Sequence, residues 1–200
     1  EPENWKLAVN NENFRKSIVH AFNRMPALAT NDRIDPESLK NNTITPNAFA
    51  SASKDYTYYD GLAAYTDGDN FDEALAQEYK TTAIEELTAA GATFPVKMLM
   101  CYNPTSANWA QECQVVEQQI EGVLGADYVD IIIQAGPETG FLGAIRRTGN
   151  YAFMKCNWGA DYADPETWTD PFSTDSSYSF IFKSTDPTTQ ALYAEYTELV

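Results

Sequence analysis

The sequence predicts an α/β domain, with a short mixed or parallel sheet flanked by helices. Two apolar runs of strand length, Val96-Lys-Met-Leu-Met-Cys-Tyr102 and Tyr128-Val-Asp-Ile-Ile-Ile-Gln134, supply the sheet. Between them Trp109, Cys113, Val116, Ile120 and Val123 recur at helical spacing. Strand, long helix, strand describes a parallel pair joined by a right-handed crossover, and such a sheet has to be covered by helices.

The remaining elements follow in chain order. Phe14, Ile18, Ala21, Phe22 and Met25 form one helical stripe, with Asn11 or Asn13 to cap its start and Pro26 to end it. His20 lies off that stripe, with no nucleophile or acid motif pointing to it, and is read as structural or surface. Residues 30–60 have loop composition, with short helical turns expected at Pro36-Glu-Ser-Leu and Pro46-Asn-Ala-Phe. The run Asp67-Gly-Asp-Asn-Phe-Asp-Glu73 fails as a calcium loop, because Asp72 stands where the sharp turn requires Gly and Phe71 replaces a ligand. A capping box of Asn70 and Glu73 explains it better. The helix that follows carries Phe71, Leu75, Tyr79, Ala83 and Leu87 on one stripe, and Gly91 is its C-terminal stop. Glu138–Arg147 reads as helical, and residues 151–157 as a further strand.

Two hundred residues suit one domain with a real core, burying roughly two-thirds of the surface its unfolded chain exposes. A net charge of −16, from 29 acidic and 13 basic residues, repels phosphate backbones and anionic lipid surfaces, so neither nucleic acid nor a membrane is expected as a partner. No apolar run approaches the roughly 20 residues needed to cross a bilayer. Cys101, Cys113 and Cys156 lack the clustered spacing that zinc needs, so no metal or cofactor is expected. They read as small buried hydrophobes, and a Cys101–Cys156 bridge is left open.

The richest stretch runs from Tyr151 to Pro165. Tyr151, Phe153 and Met154 are strand formers, Asn157-Trp158-Gly159 breaks the run, and Asp161 and Asp164 follow before Pro165. A carboxylate just past a strand's end, beside an aromatic wall and a flexible Gly, is well arranged to receive a ligand. The plain alternative is structural: Asp161 caps a turn, Trp158 packs on the domain, and Asp164-Pro165 shapes the loop. A glycoside hydrolase using Asp161 and Asp164 is the enzymatic alternative, since such enzymes need two carboxyl groups about 5–10 Å apart. No second acidic pair, Gly-x-Ser-x-Gly elbow or phosphate loop accompanies it, so the chain is read as a binding protein without catalytic residues.

Three segments also carry a resemblance. Trp158-Gly-Ala-Asp161-Tyr-x-Asp164-Pro165 resembles the signature of the oligopeptide-binding proteins of ABC importers, solute-binding protein family 5. Asn13-Phe14-Arg15-Lys16-Ser17-Ile18, then Ala21-Phe22-Asn23-Arg24, is similar to a helix of that family. So is Phe71-Asp-Glu-Ala74-Leu75 through Leu87-Thr-Ala-Ala-Gly91. All three occur in the family's order and spacing.

The resemblance implies one lobe of a two-lobed periplasmic-binding-protein-like fold, with residues 1–200 a single domain, the C-terminal lobe of a larger protein. It implies an extracytoplasmic protein, a cell-surface lipoprotein or periplasmic, that captures peptides and delivers them to the membrane permease of an ABC importer. Asp161 then pairs with the amino terminus of the peptide. The backbone of Trp158, Gly159 and Ala160 pairs with the ligand as an added strand, and Tyr162 lines the cleft or packs beneath it. Lys155 and Arg146 are candidates for the ligand's carboxylate. Members of the family also carry nickel chelates and sugars, and a carboxylate at Asp161 favours ligands with a free amine. Asn157 departs from the Gly that usually precedes the Trp.

Overall fold

The computed structural model describes residues 2–46, 49, 68–173 and 178–200. The chain divides into two compact units, Glu1–Lys40 with Asn70–Lys155, and Asn41–Asp69 with Cys156–Val200.

The first unit holds the sheet. Strands β1 (Val96–Tyr102) and β2 (Val129–Ala135) pair in parallel, Val96 opposite Val129 through Tyr102 opposite Ala135. The bounds of β1 coincide with the predicted run, and those of β2 fall one residue later. Helices α1 (Pro2–Asn10), α2 (Glu12–Ala21), α3 (Arg24–Leu28) and α4 (Glu73–Ala89) come before the sheet in sequence. Helix α5 (Trp109–Leu124) joins its two strands. The side chains of β1 alternate between two faces. Met98 and Met100 join Phe14, Leu87, Ile120, Leu124 and Tyr128 in the main core. Cys101 turns the other way, onto Phe141 and Ile145 of a π-helical turn at Leu142–Arg146 and the residue before it. Gly136 is what lets that turn approach: a Cβ there would lie 2.6 Å from the Phe141 ring.

Several local expectations are corrected. Helix α2 is capped by Asn11, whose Oδ1 accepts from Phe14 N at 2.7 Å, but it ends at Ala21. Asn23 caps a separate α3, so Pro26 sits in that helix's first turn, where its missing N–H is harmless, and terminates nothing. The cap of α4 is Asp72, accepting from Leu75 N at 2.9 Å, not Asn70; a capping box with Glu73 is therefore absent. Gly91 does stop α4. With φ at +86°, it lets Gly91 N donate to Thr88 O and Ala92 N to Leu87 O, closing a Schellman motif. His20 is structural, its Nδ1 2.6 Å from Asn70 O and its ring stacked on Tyr79. The 3₁₀ turn at Pro36–Leu39 is present. At Pro46, Phe49 N bonds to Pro46 O, while Asn47 and Ala48 lie outside the described residues, as does Asp67 of the acidic run.

Residues 151–157 do not form a strand. Ala152 N and Phe153 N both point at one acceptor, Leu99 O on β1, at 2.7 and 3.4 Å, and no ladder continues. The reason lies in the packing. Tyr151 and Met154 face the Cys101–Phe141–Ile145 cluster, whereas Ala152 and Phe153 face the main core, so the run lacks the period of two that a strand needs. Cys156 is exposed, against the buried reading, while Cys101 and Cys113 are buried; all three are free thiols. Of the helix expected over Glu138–Arg147, the regular part is the π-helical turn.

The second unit contains α6 (Glu166–Thr169), 3₁₀ turns at Asp170–Phe172 and Ile181–Lys183, and α7 (Pro187–Leu199), which periodicity did not single out. Asp186 caps α7 by accepting from Thr189 N at 2.9 Å, and Tyr196 Oη donates to Thr169 O at 2.6 Å, tying α7 to the end of α6.

Candidate functional site

The loop from Trp158 to Pro165 is built in the second unit around the start of α6. Asp164 holds that start: its Oδ1 accepts from Glu166 N at 3.0 Å and its carbonyl accepts from Thr167 N at 3.1 Å. Trp158 is half-buried. Its indole Nε1 donates to Thr167 O at 2.6 Å, and its ring meets Tyr178 edge-on with centroids 4.7 Å apart. Asp161 N donates to Thr167 Oγ1 at 3.1 Å. The two carboxylates therefore differ in kind. Asp164 spends an oxygen on its own helix, whereas the exposed Asp161 carboxylate accepts no hydrogen bond from any described residue.

Gly159 and Ala160 are exposed, and their backbone N–H and C=O groups bond to no other described residue. A Cβ on Gly159 would meet nothing within 4 Å, so no crowding by the protein itself demands glycine there. Tyr162 is 48% exposed and does not pack beneath the loop. Its phenol is held above the usual range, first by partial desolvation and then by the charges of Glu166, Asp170, Asp164 and Asp161.

The two basic candidates belong to the first unit. Lys155 Nζ lies 2.5 Å from Glu112 Oε2 and 6.0 Å from the centre of the Trp109 ring. Arg146 is 4% exposed, at the end of the π-helical turn. Arg146 is thus withheld from solvent, whereas Lys155 is exposed and paired with Glu112. The first unit also has a shallow open depression of about 400 Å³ lined by Pro2, Glu3, Asn4, Leu7, Gly91 and Thr93, and none of the candidate residues reaches it. Among the described residues no three His, Cys, Asp or Glu side chains come together as a metal site. Thr167 is the residue that the sequence reading passed over. It looks like one more hydroxyl near a helix start, yet it is 1% exposed and bonded to three points of the loop.

A family profile described as bacterial extracellular solute-binding proteins, family 5 (middle), matches residues 3–180. The chain belongs to this family. Family 5 relatives include the oligopeptide-binding protein AliB of Streptococcus pneumoniae, 28% identical over 197 residues, covering 88% of this chain and 30% of AliB. AmiA of the same organism, also named an oligopeptide-binding protein, is 28% identical over 86% of this chain and 29% of its own. The chain thus spans about 30% of the length of these relatives. Among solved structures, the substrate-binding domain of an oligopeptide ABC transporter from Bacillus anthracis superposes with a TM-score of 0.68 at 21% identity, over 96% of this chain and 38% of that one. Listeria monocytogenes OppA bound to peptide gives 0.66 at 20% identity, over 96% and 36%. The family 5 fold expected from the three sequence segments is borne out. No helix among the described residues is long and apolar enough to cross a membrane.

Proposed function

We propose that this family 5 chain is the part of a peptide-binding protein that holds the amino terminus of its ligand, and that Asp161 is the residue that does so. The observation that carries the reading is the contrast between the two loop carboxylates. Asp164 is committed to Glu166 N, while Asp161 has a tethered backbone and a carboxylate that accepts no hydrogen bond from any described residue. A ligand ammonium removed from water needs such a partner, because burying it unpaired costs several kcal/mol. The charge-assisted bond returns about 1.5–3 kcal/mol. The backbone of Gly159 and Ala160, which bonds to no other described residue, supports an extended ligand added as a strand, with Trp158 and Tyr162 as its aromatic surroundings.

The same reading makes residues 1–200 the C-terminal lobe of a longer extracytoplasmic protein, periplasmic or lipid-anchored, that hands its ligand to an ABC permease. A second lobe would close over the ligand by hinge motion. No reaction is assigned to the chain. The relatives' names, oligopeptide-binding proteins, support a peptide as the solute. Lys155 and Arg146 stand as candidates for the ligand's carboxylate, Lys155 by exchanging Glu112 for it.

The test is Asp161→Ala in the complete polypeptide that carries this chain. Affinity for free-amine peptides should fall about 10- to 150-fold, the equivalent of that bond, and affinity for N-acetylated peptides should barely change. Equal losses for both would remove Asp161 from the role.

A further inference from the structure

Thr167 joins the loop at three places. Its Oγ1 accepts the Asp161 N–H at 3.1 Å, its carbonyl accepts the Trp158 indole N–H at 2.6 Å, and its N–H donates to Asp164 O at 3.1 Å. Two of these bonds use the backbone of Thr167 and survive any substitution that keeps the N–H. The bond to Asp161 is the one its side chain makes. It is also the one hydrogen bond from a described residue to the backbone of Asp161, and Gly159 and Ala160 beside it have none. Thr167 is 1% exposed, so its hydroxyl is shielded from water in the folded chain.

We infer that Thr167 is a positioning residue: its hydroxyl fixes the backbone at Asp161 and so pre-orients that carboxylate for a cationic ligand. The inference rests on the amine-pairing role proposed above. With the backbone held beforehand, less ordering remains to be done when ligand arrives, and affinity gains by that difference. Thr167→Val keeps the shape of the side chain and removes the acceptor. Thr167→Ser keeps the acceptor and removes a methyl group.

The experiment compares the complete polypeptide with its Thr167→Val, Thr167→Ser and Asp161→Ala variants, using equimolar random pentapeptides with free or acetylated amino termini. The readout is the ratio of affinities for the two pools. Thr167→Val should lower that ratio about fivefold, the loss expected of one hydrogen bond, and Thr167→Ser should stay near wild type. A purely structural role would weaken both pools alike. A collapsed ratio in Asp161→Ala with an unchanged ratio in Thr167→Val overturns the inference and leaves the amine-pairing role standing. An unchanged ratio in Asp161→Ala, or no binding of either pool by wild type, overturns that role and this inference together. Should Thr167→Val fail to fold, amide exchange in unliganded wild type decides: the Asp161 N–H should exchange at least about tenfold more slowly than an unprotected loop amide. Exchange at the unprotected rate overturns the inference.

Discussion

Replacing Tyr128 by Phe tests the core of the sheet-bearing unit through a change whose sign reverses with pH. Tyr128 is 1% exposed, stacked on Phe94 with centroids 5.5 Å apart and tilted against Phe14 at 5.7 Å. Those ring contacts survive in Tyr128→Phe. What is lost is the hydroxyl, 3.1 Å from Ser17 Oγ. Ser17 spends its own proton on Phe14 O at 2.7 Å, so Tyr128 is the donor and Ser17 keeps one bond after the substitution. Near neutral pH the variant should therefore be less stable by about 1 kcal/mol, the usual net value of one such bond. Burial raises the Tyr128 phenol from its ordinary value of 10.0 to about 12, less what Ser17 gives back by turning its hydroxyl onto the phenolate. The folded state thus holds that proton more tightly than the unfolded one. The associated stability is intact below the unfolded value and is lost as pH climbs through the folded one. By about pH 11 the wild type has lost about 1.4 kcal/mol by this route, and the Tyr128→Phe variant loses none. Cys113, whose thiol burial pushes up to about 11, sheds stability over an earlier alkaline window, but it does so in both proteins and cancels in the comparison. Urea unfolding followed at several pH values should show the two stabilities crossing between about pH 10 and 11. A difference that stays constant from neutrality to pH 12 would refute the claim that Tyr128 is held as a buried neutral phenol.

Two further substitutions test how α4 is framed. Asp72→Ala removes the acceptor for Leu75 N and should cost about 1 kcal/mol in urea unfolding, whereas Asp72→Asn, which keeps a capping oxygen, should cost less than half of that. Gly91→Ala puts a side chain at φ +86° where nothing lies within 4 Å of the new Cβ, so its expected cost of about 1–2 kcal/mol is backbone strain alone; an unchanged urea midpoint would mean that the Schellman turn relaxes.

Much of the architecture was legible in the sequence. Both strands, the crossover helix α5, the Gly91 stop and the turn at Pro36 followed from periodicity and from residues with restricted backbones. These are local properties: a period of two or of 3.6 is written in neighbouring residues, and a positive φ marks glycine wherever the chain turns. The three family segments likewise sit within single stretches of chain. Where the reading failed, two stretches competed for one apolar run or one backbone donor. Residues 151–154 looked like a strand because they are apolar, but their side chains divide between two clusters that only the folded unit creates. Asn70 looked like the cap because Glu73 follows it three residues on, but α4 begins after Asp72, whose N–H is tied to His20 O.

The loop after Trp158 divides in the same way. Its composition already announced a carboxylate-bearing turn beside an aromatic wall, and the spacing of Trp158, Asp161 and Pro165 announced the family. Which carboxylate the first turn of α6 takes up was decided by tertiary structure, because it depends on where that turn places its N–H groups: Asp164 meets Glu166 N, and Asp161 does not. Sequence order records which groups are able to bond, while the partner each one takes is a matter of distances that arise once the chain has packed. Thr167 is the plainest case, a residue of ordinary appearance whose burial places one hydroxyl within reach of the Asp161 amide.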